Sequence, residues 1–148
     1  MSAVGPTTLA GKSAENYEIA IEYAQEALRQ LDQRTAPEGW ARANLELATI
    51  LAHRLEGNRI ENLEEAIKRA TNALSVYQPN TNLQEWLLAK MTLGNLYCEP
   101  LTNGRFYDEN QAITCYKEVL ANCDSATLPI RWAEAQNNLG TVYAERSQ

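Results

Sequence analysis

Apolar residues recur along this chain at helical spacing, in blocks separated by short polar stretches. Trp40, Ala43, Leu47, Ile50 and Leu51 fall on one stripe of a 3.6-residue helix, and Ala66, Ile67, Ala70, Ala73, Leu74 and Tyr77 fall on another. The pattern predicts six helices, over about 14–32, 36–54, 62–77, 82–98, 109–123 and 128–146, and so an all-α fold. Three start signals are capping boxes: Thr35 with Glu38, Thr81 with Gln84, and Asn62 with Glu65. Asp108 with Gln111 is a fourth, and Pro129 after Thr127 suits a first helical turn. The stretches Glu56–Glu61 and Thr102–Tyr107 predict loops, the second with an Asn103-Gly104 turn.

The blocks repeat. Trp40, Trp86 and Trp132 stand 46 residues apart both times, and sliding the chain by 46 superposes the rest without a gap. Ala43/Ala89/Ala135, Leu47/Leu93/Leu139, Ala20/Ala66/Ala112, Ile21/Ile67/Ile113 and Leu28/Leu74/Leu120 coincide, as do Gly94 with Gly140 and Tyr97 with Tyr143. Each repeat holds an A segment, starting near the Trp, and a B segment. Neither can bury its stripe alone, so neighbouring pairs stack into one continuous core, with small residues letting the helices approach. Trp40, Trp86, Trp132, Leu47, Leu93, Leu139, Gly94, Gly140, Tyr97 and Tyr143 are the expected repeat core.

These residues resemble a tetratricopeptide repeat. Leu93-Gly94-x-x-Tyr97 and Leu139-Gly140-x-x-Tyr143 resemble that family's A-helix pattern, and Ala112-Ile113-x-x-Tyr116-x-x-Val119-Leu120 its B-helix pattern. The family's usual period is roughly 34 residues, so the A helix and the A–B loop are longer here. The first copy departs further, with Ala48 in place of Gly and Leu51 in place of Tyr. The long repeats, with Trp132-Ala133 and Asn137-Asn138-Leu139-Gly140, are similar to bacterial and notably cyanobacterial arrays that often precede CHAT-type protease domains. The resemblance implies an α-α superhelix of antiparallel pairs: a flexible segment 1–12, then one repeat domain over 13–148, with a B helix at 14–32, repeats at 35–80 and 81–126, and a final A helix within 127–148.

Composition narrows the function. Of 148 residues 45% are hydrophobic, and the net charge of −6 disfavours nucleic acid, since no Lys/Arg cluster offsets it. No apolar run approaches the about 20 residues that span a bilayer, and the N-terminus has no secretory pattern. The three cysteines, Cys98, Cys115 and Cys123, lack metal-like spacing. A reduced, cytoplasmic setting is expected, with no membrane partner. His53 is the sole histidine and a Cys98–His53 pair is conceivable, but no acid, oxyanion turn or glycine elbow accompanies it. No catalytic set, metal site or cofactor is expected.

The resemblance implies a protein-binding scaffold whose A helices line a concave face. Its candidate rows are Arg42, Leu88 and Glu134; Leu45, Met91 and Asn137; Thr49, Asn95 and Thr141; and His53, Glu99 and Glu145. With only Asn95 and Arg42 of a suitable type, no carboxylate clamp is expected; an extended peptide or a helix suits the mixed surface. The Arg59/Arg105 pair, repeated in register, is expected to order its loops. An opening B without its A and a closing A without its B suggest a segment of a longer array; the alternative reading that the resemblance implies is the regulatory arm of a larger protein such as a CHAT-type protease. Failing a continuation, Ala133, Gln136, Gly140 and Tyr143 would face a missing neighbour and drive homo-oligomerisation through open ends.

Overall fold

A computed structural model describes residues 9–147, and among them there are six α-helices and no strand: α1 (Leu9–Gln30), α2 (Pro37–His53), α3 (Arg59–Leu74), α4 (Leu83–Tyr97), α5 (Glu109–Ala121) and α6 (Pro129–Arg146). Residues 9–12, within the segment expected to be flexible, already belong to α1; the rest of that segment lies outside the described residues. No helix is long and apolar enough to cross a membrane among the described residues.

The A helices α2, α4 and α6 start differently from the expectation. Their N-caps are Ala36, Asn82 and Leu128, none with a side-chain cap, so the Thr35 and Thr81 boxes do not form. A turn of backbone replaces them. Ala36, Asn82 and Leu128 each donate an N–H to the carbonyl four residues earlier, of Asp32, Gln78 and Asp124. Those cap residues then accept from the N–H of Trp40, Trp86 and Trp132. Both bonds recur at the same period, so the turn is itself part of the repeat. Asp124 adds its carboxylate, which accepts from the N–H groups of Ala126 and Thr127; these bonds hold its pKa below the ordinary value.

The B helices follow the capping rule more closely. Asp108 caps α5, accepting from the Gln111 N–H at 3.1 Å. For α3 the cap is Asn58, which accepts from the Glu61 N–H at 3.0 Å; Asn62, the expected cap, lies in the first turn instead. The loop expected over Glu56–Glu61 is shortened accordingly. Asn62 is buried and spends its amide on the Glu56 carbonyl and the Arg54 guanidinium.

Consecutive helices pack on each other in chain order, and α2 also touches α4. Cross-links show that neighbours run antiparallel. Arg54, at the end of α2, grips Glu18 in the first half of α1 at 2.6 Å. Lys90 in α4 pairs with Glu118 late in α5 at 3.0 Å, and Arg146, closing α6, reaches Glu109 at the start of α5 at 3.3 Å.

These contacts repeat in register. Asn44, fully buried in α2, accepts from Asn72 of α3 at 3.3 Å, and the next copy puts Lys90 and Glu118 at the same two positions. The Arg54–Glu18 pair returns as Arg146 with Asn110. The closest approach is at Gly94: a Cβ there would stand 2.7 Å from the Tyr116 ring and 3.2 Å from the Cys115 Cβ. Tyr116 is the largest fully buried side chain. In the first copy the equivalent positions hold Ala48 and Ala70, both fully buried, so the space between the helices is filled by two small side chains instead of none and one large ring.

Hydrogen bonding to Arg54 lowers the Glu18 pKa from its ordinary 4.5. A carboxylate with a depressed folded pKa stabilises the fold above its unfolded pKa and loses that contribution as pH falls through the folded value. Glu18→Gln should therefore lower the melting temperature at pH 7, and the difference from wild type should shrink and disappear as the pH falls through the lowered folded pKa of Glu18. A difference that persisted in acid would assign the loss to packing instead.

Candidate functional site: a groove along α2, α4 and α6

Three clefts lie in a row on the face that the A helices share. The first, about 250 Å3, is bounded by Arg42, Leu45, Glu46, Thr49, Tyr77, Glu85 and Leu88. The second, about 420 Å3, is bounded by Thr49, Ala52, His53, Arg59, Thr92, Asn95, Leu96 and Glu99. Asn95, Cys98, Phe106, Tyr116, Asn138 and Thr141 bound the third, again about 250 Å3. Thr49 belongs to the first two and Asn95 to the last two, so the clefts join into one groove. Each is open and of a size to take one or two side chains.

The row Thr49, Asn95 and Thr141 runs along the whole groove. Both threonine hydroxyls turn inward, donating to the carbonyls of Leu45 at 3.2 Å and Asn137 at 3.0 Å. Asn95 is different. Its Oδ1 accepts from the Tyr116 hydroxyl at 2.6 Å and from Asn138 Nδ2 at 3.0 Å, while its own NH2 has no acceptor among the described residues. Two firm bonds on the oxygen thus present the amide donors to the groove. Arg42, Leu88, His53 and Glu99 also line the clefts, and Leu45 forms the buried floor of the first. Met91 is buried and borders none of the three. Asn137 is exposed, Glu134 pairs with Arg131 at 3.2 Å, and Glu145 lies in a separate polar recess with Arg105 and Arg146.

One row was not anticipated. Glu46, Thr92 and Asn138 share a repeat position and each lines one cleft; the 46-residue period held that signal. Tyr77 was less accessible to reasoning, since it lies beyond α3 and reaches the first cleft only through packing. It is buried, and burial, followed by the nearby Glu85 carboxylate, raises its pKa.

The groove's charges are largely spoken for. Arg42 pairs with Glu46 at 3.2 Å. Arg59 pairs with Glu99 and donates to the Ala52 carbonyl at 2.8 Å, tying the A–B turn to the next repeat. Arg105, its equivalent, forms no ion pair among the described residues. Glu85 is likewise without an ion pair there, so the unneutralised charge in the first cleft is negative. His53 stacks on Tyr17, with ring centroids 6.4 Å apart, and its Nδ1–H donates to the Thr49 carbonyl at 2.9 Å.

The cysteines are held as thiols. Burial raises the pKa of Cys98, whose sulfur lies 3.5 Å from the Tyr116 hydroxyl oxygen, and pushes Cys115 up to about 11. Burial also raises Cys123 and lifts the Tyr116 phenol far above its ordinary value. Cys98 and His53 line different clefts and each is engaged elsewhere. Groups of His, Cys, Asp and Glu able to hold a metal ion are absent among the described residues. Repeating units, an aligned groove and fixed amide donors suit recognition of a chain-like ligand.

Compared with protein-family models, curated proteins and solved structures, the chain matches none.

The thiols give a direct test of the burial. In brief alkylation at pH 7.5 read by mass spectrometry, Cys123, half-buried in the turn after α5, should label first, and Cys115 only on unfolding. Early labelling of Cys115 would mean that the α4–α5 interface is open.

Proposed function

We propose that this chain is a tetratricopeptide-like helical repeat segment whose A helices form the inner wall of a superhelix and bind a segment of another protein. The observation that carries this reading is the continuous groove along α2, α4 and α6, which passes through the Thr49–Asn95–Thr141 row. An extended peptide matches its length and its succession of side-chain-sized clefts. Asn95 donates to a peptide carbonyl. Leu45, Tyr77 and Leu88 receive an apolar side chain, and Glu85 favours a basic residue beside it. The role is one of binding, without catalysis or a cofactor.

The test is selection from a random peptide library displayed on phage, followed by titration of selected peptides. Enrichment of sequences pairing an apolar residue with Lys or Arg is expected. Leu88→Glu should weaken their binding about tenfold, the scale of a lost groove contact, without changing the melting temperature. Asn95→Ala should weaken it similarly and also lower the melting temperature, since it leaves the buried Tyr116 hydroxyl without its acceptor. Failure to enrich, or affinities untouched by both substitutions, would overturn the reading.

A further inference from the structure

We propose that α6 of one molecule is covered by α1 of a second copy, joining chains head to tail. This goes beyond the peptide-binding reading and uses a different face of the molecule.

Helix pairs α2–α3 and α4–α5 form the more extensive of the two kinds of packing in this fold. The outward face of α6 repeats the faces of α2 and α4 that receive α3 and α5. At Gly94 that face is sealed by Tyr116 and Cys115, whereas a Cβ on Gly140 would meet nothing within 4 Å. Tyr143 is 42% exposed, and Gln136, at the position of buried Asn44, is exposed as well.

α1 carries the complementary face. In register it is a B helix: Ala20, Ala24 and Ala27 stand where Ala66, Ala70 and Ala73 of α3 are fully buried, yet in α1 they are only half-buried. Tyr23 stands where Cys115 seals Gly94, and it is 76% exposed. α1 packs on α2 through Ile21 and the Glu18–Arg54 pair, which leaves the Tyr23 side free.

Docked in the register of α5 on α4, the second copy's Tyr23 and Ala24 fill the space over Gly140. Glu26 comes opposite Gln136, as Glu118 comes opposite Lys90. An apolar tyrosine at one end and an uncovered glycine at the other thus extend an interface that the fold already builds twice. The contact is heterologous, so it propagates instead of stopping at a dimer.

Light scattering across a concentration series tests this on the whole chain. The wild-type mass should climb from the 16.6 kDa of one chain past that of a dimer. Gly140→Arg, which disables the α6 end, and Tyr23→Glu, which disables the α1 end, should each be monomeric with unchanged circular dichroism. Mixed, they should give a capped one-to-one heterodimer, since each retains the end the other lacks. A strictly monomeric wild type, association by either variant alone, or a mixture that stays monomeric would overturn the proposal. None of these results bears on peptide binding in the groove, which Leu88→Glu reports separately.

Discussion

The distance at which an A helix meets the B helix that follows it governs this structure. At Gly94 the backbone of α4 lies against the ring of Tyr116, with no room for a methyl group. Helices packed this closely need complementary volumes, since close-packed interiors tolerate neither voids nor overlap. The two A–B pairs meet the requirement differently, with Ala48 and Ala70 in one, and Gly94 and Tyr116 in the other. In each pair the small residue on the A helix leaves room for the side chain that the B helix presents, and the helices pair in the same register in both copies.

The groove follows from that register. Because α2, α4 and α6 are offset by one repeat each, equivalent side chains stand in rows, and the clefts between helices join. Tyr116 links core to groove directly: its ring fills the α4–α5 contact, and its hydroxyl holds Asn95 with the amide donors facing outward. A buried tyrosine hydroxyl needs a partner. Here meeting that need fixes the orientation of Asn95, so one buried side chain both fills the α4–α5 contact and sets the amide that faces the groove.

Much of this was legible in the sequence, because a 46-residue period multiplies weak signals. Six helices, their order and the Thr49–Asn95–Thr141 row follow from it. Helix starts were less legible. Asn58 and Asn62 each precede a glutamate by three residues, and local pattern ranks them equally; the burial of Asn62 against Arg54 decides in favour of Asn58. Thr35 and Thr81 satisfy a capping rule, yet the backbone turn from Asp32 and Gln78 supplies the start instead. The partner of Asn95 was invisible for a different reason. Tyr116 lies 21 residues away, and the Ala70 position in the other copy gives no hint of a hydroxyl.

The most direct test is a double-mutant cycle at the A–B contact. Gly94→Ala in the presence of Tyr116 should destabilise the fold by about 1–3 kcal/mol, the usual cost of overpacking. In a Tyr116→Ala background the same substitution should become neutral or stabilising by up to about 1 kcal/mol, since it restores the first copy's alanine pair and removes a helical glycine. Urea unfolding of the four proteins measures both steps. A reversal of sign confirms that complementary volumes at this contact set the helix spacing. An equal cost in both backgrounds would contradict it.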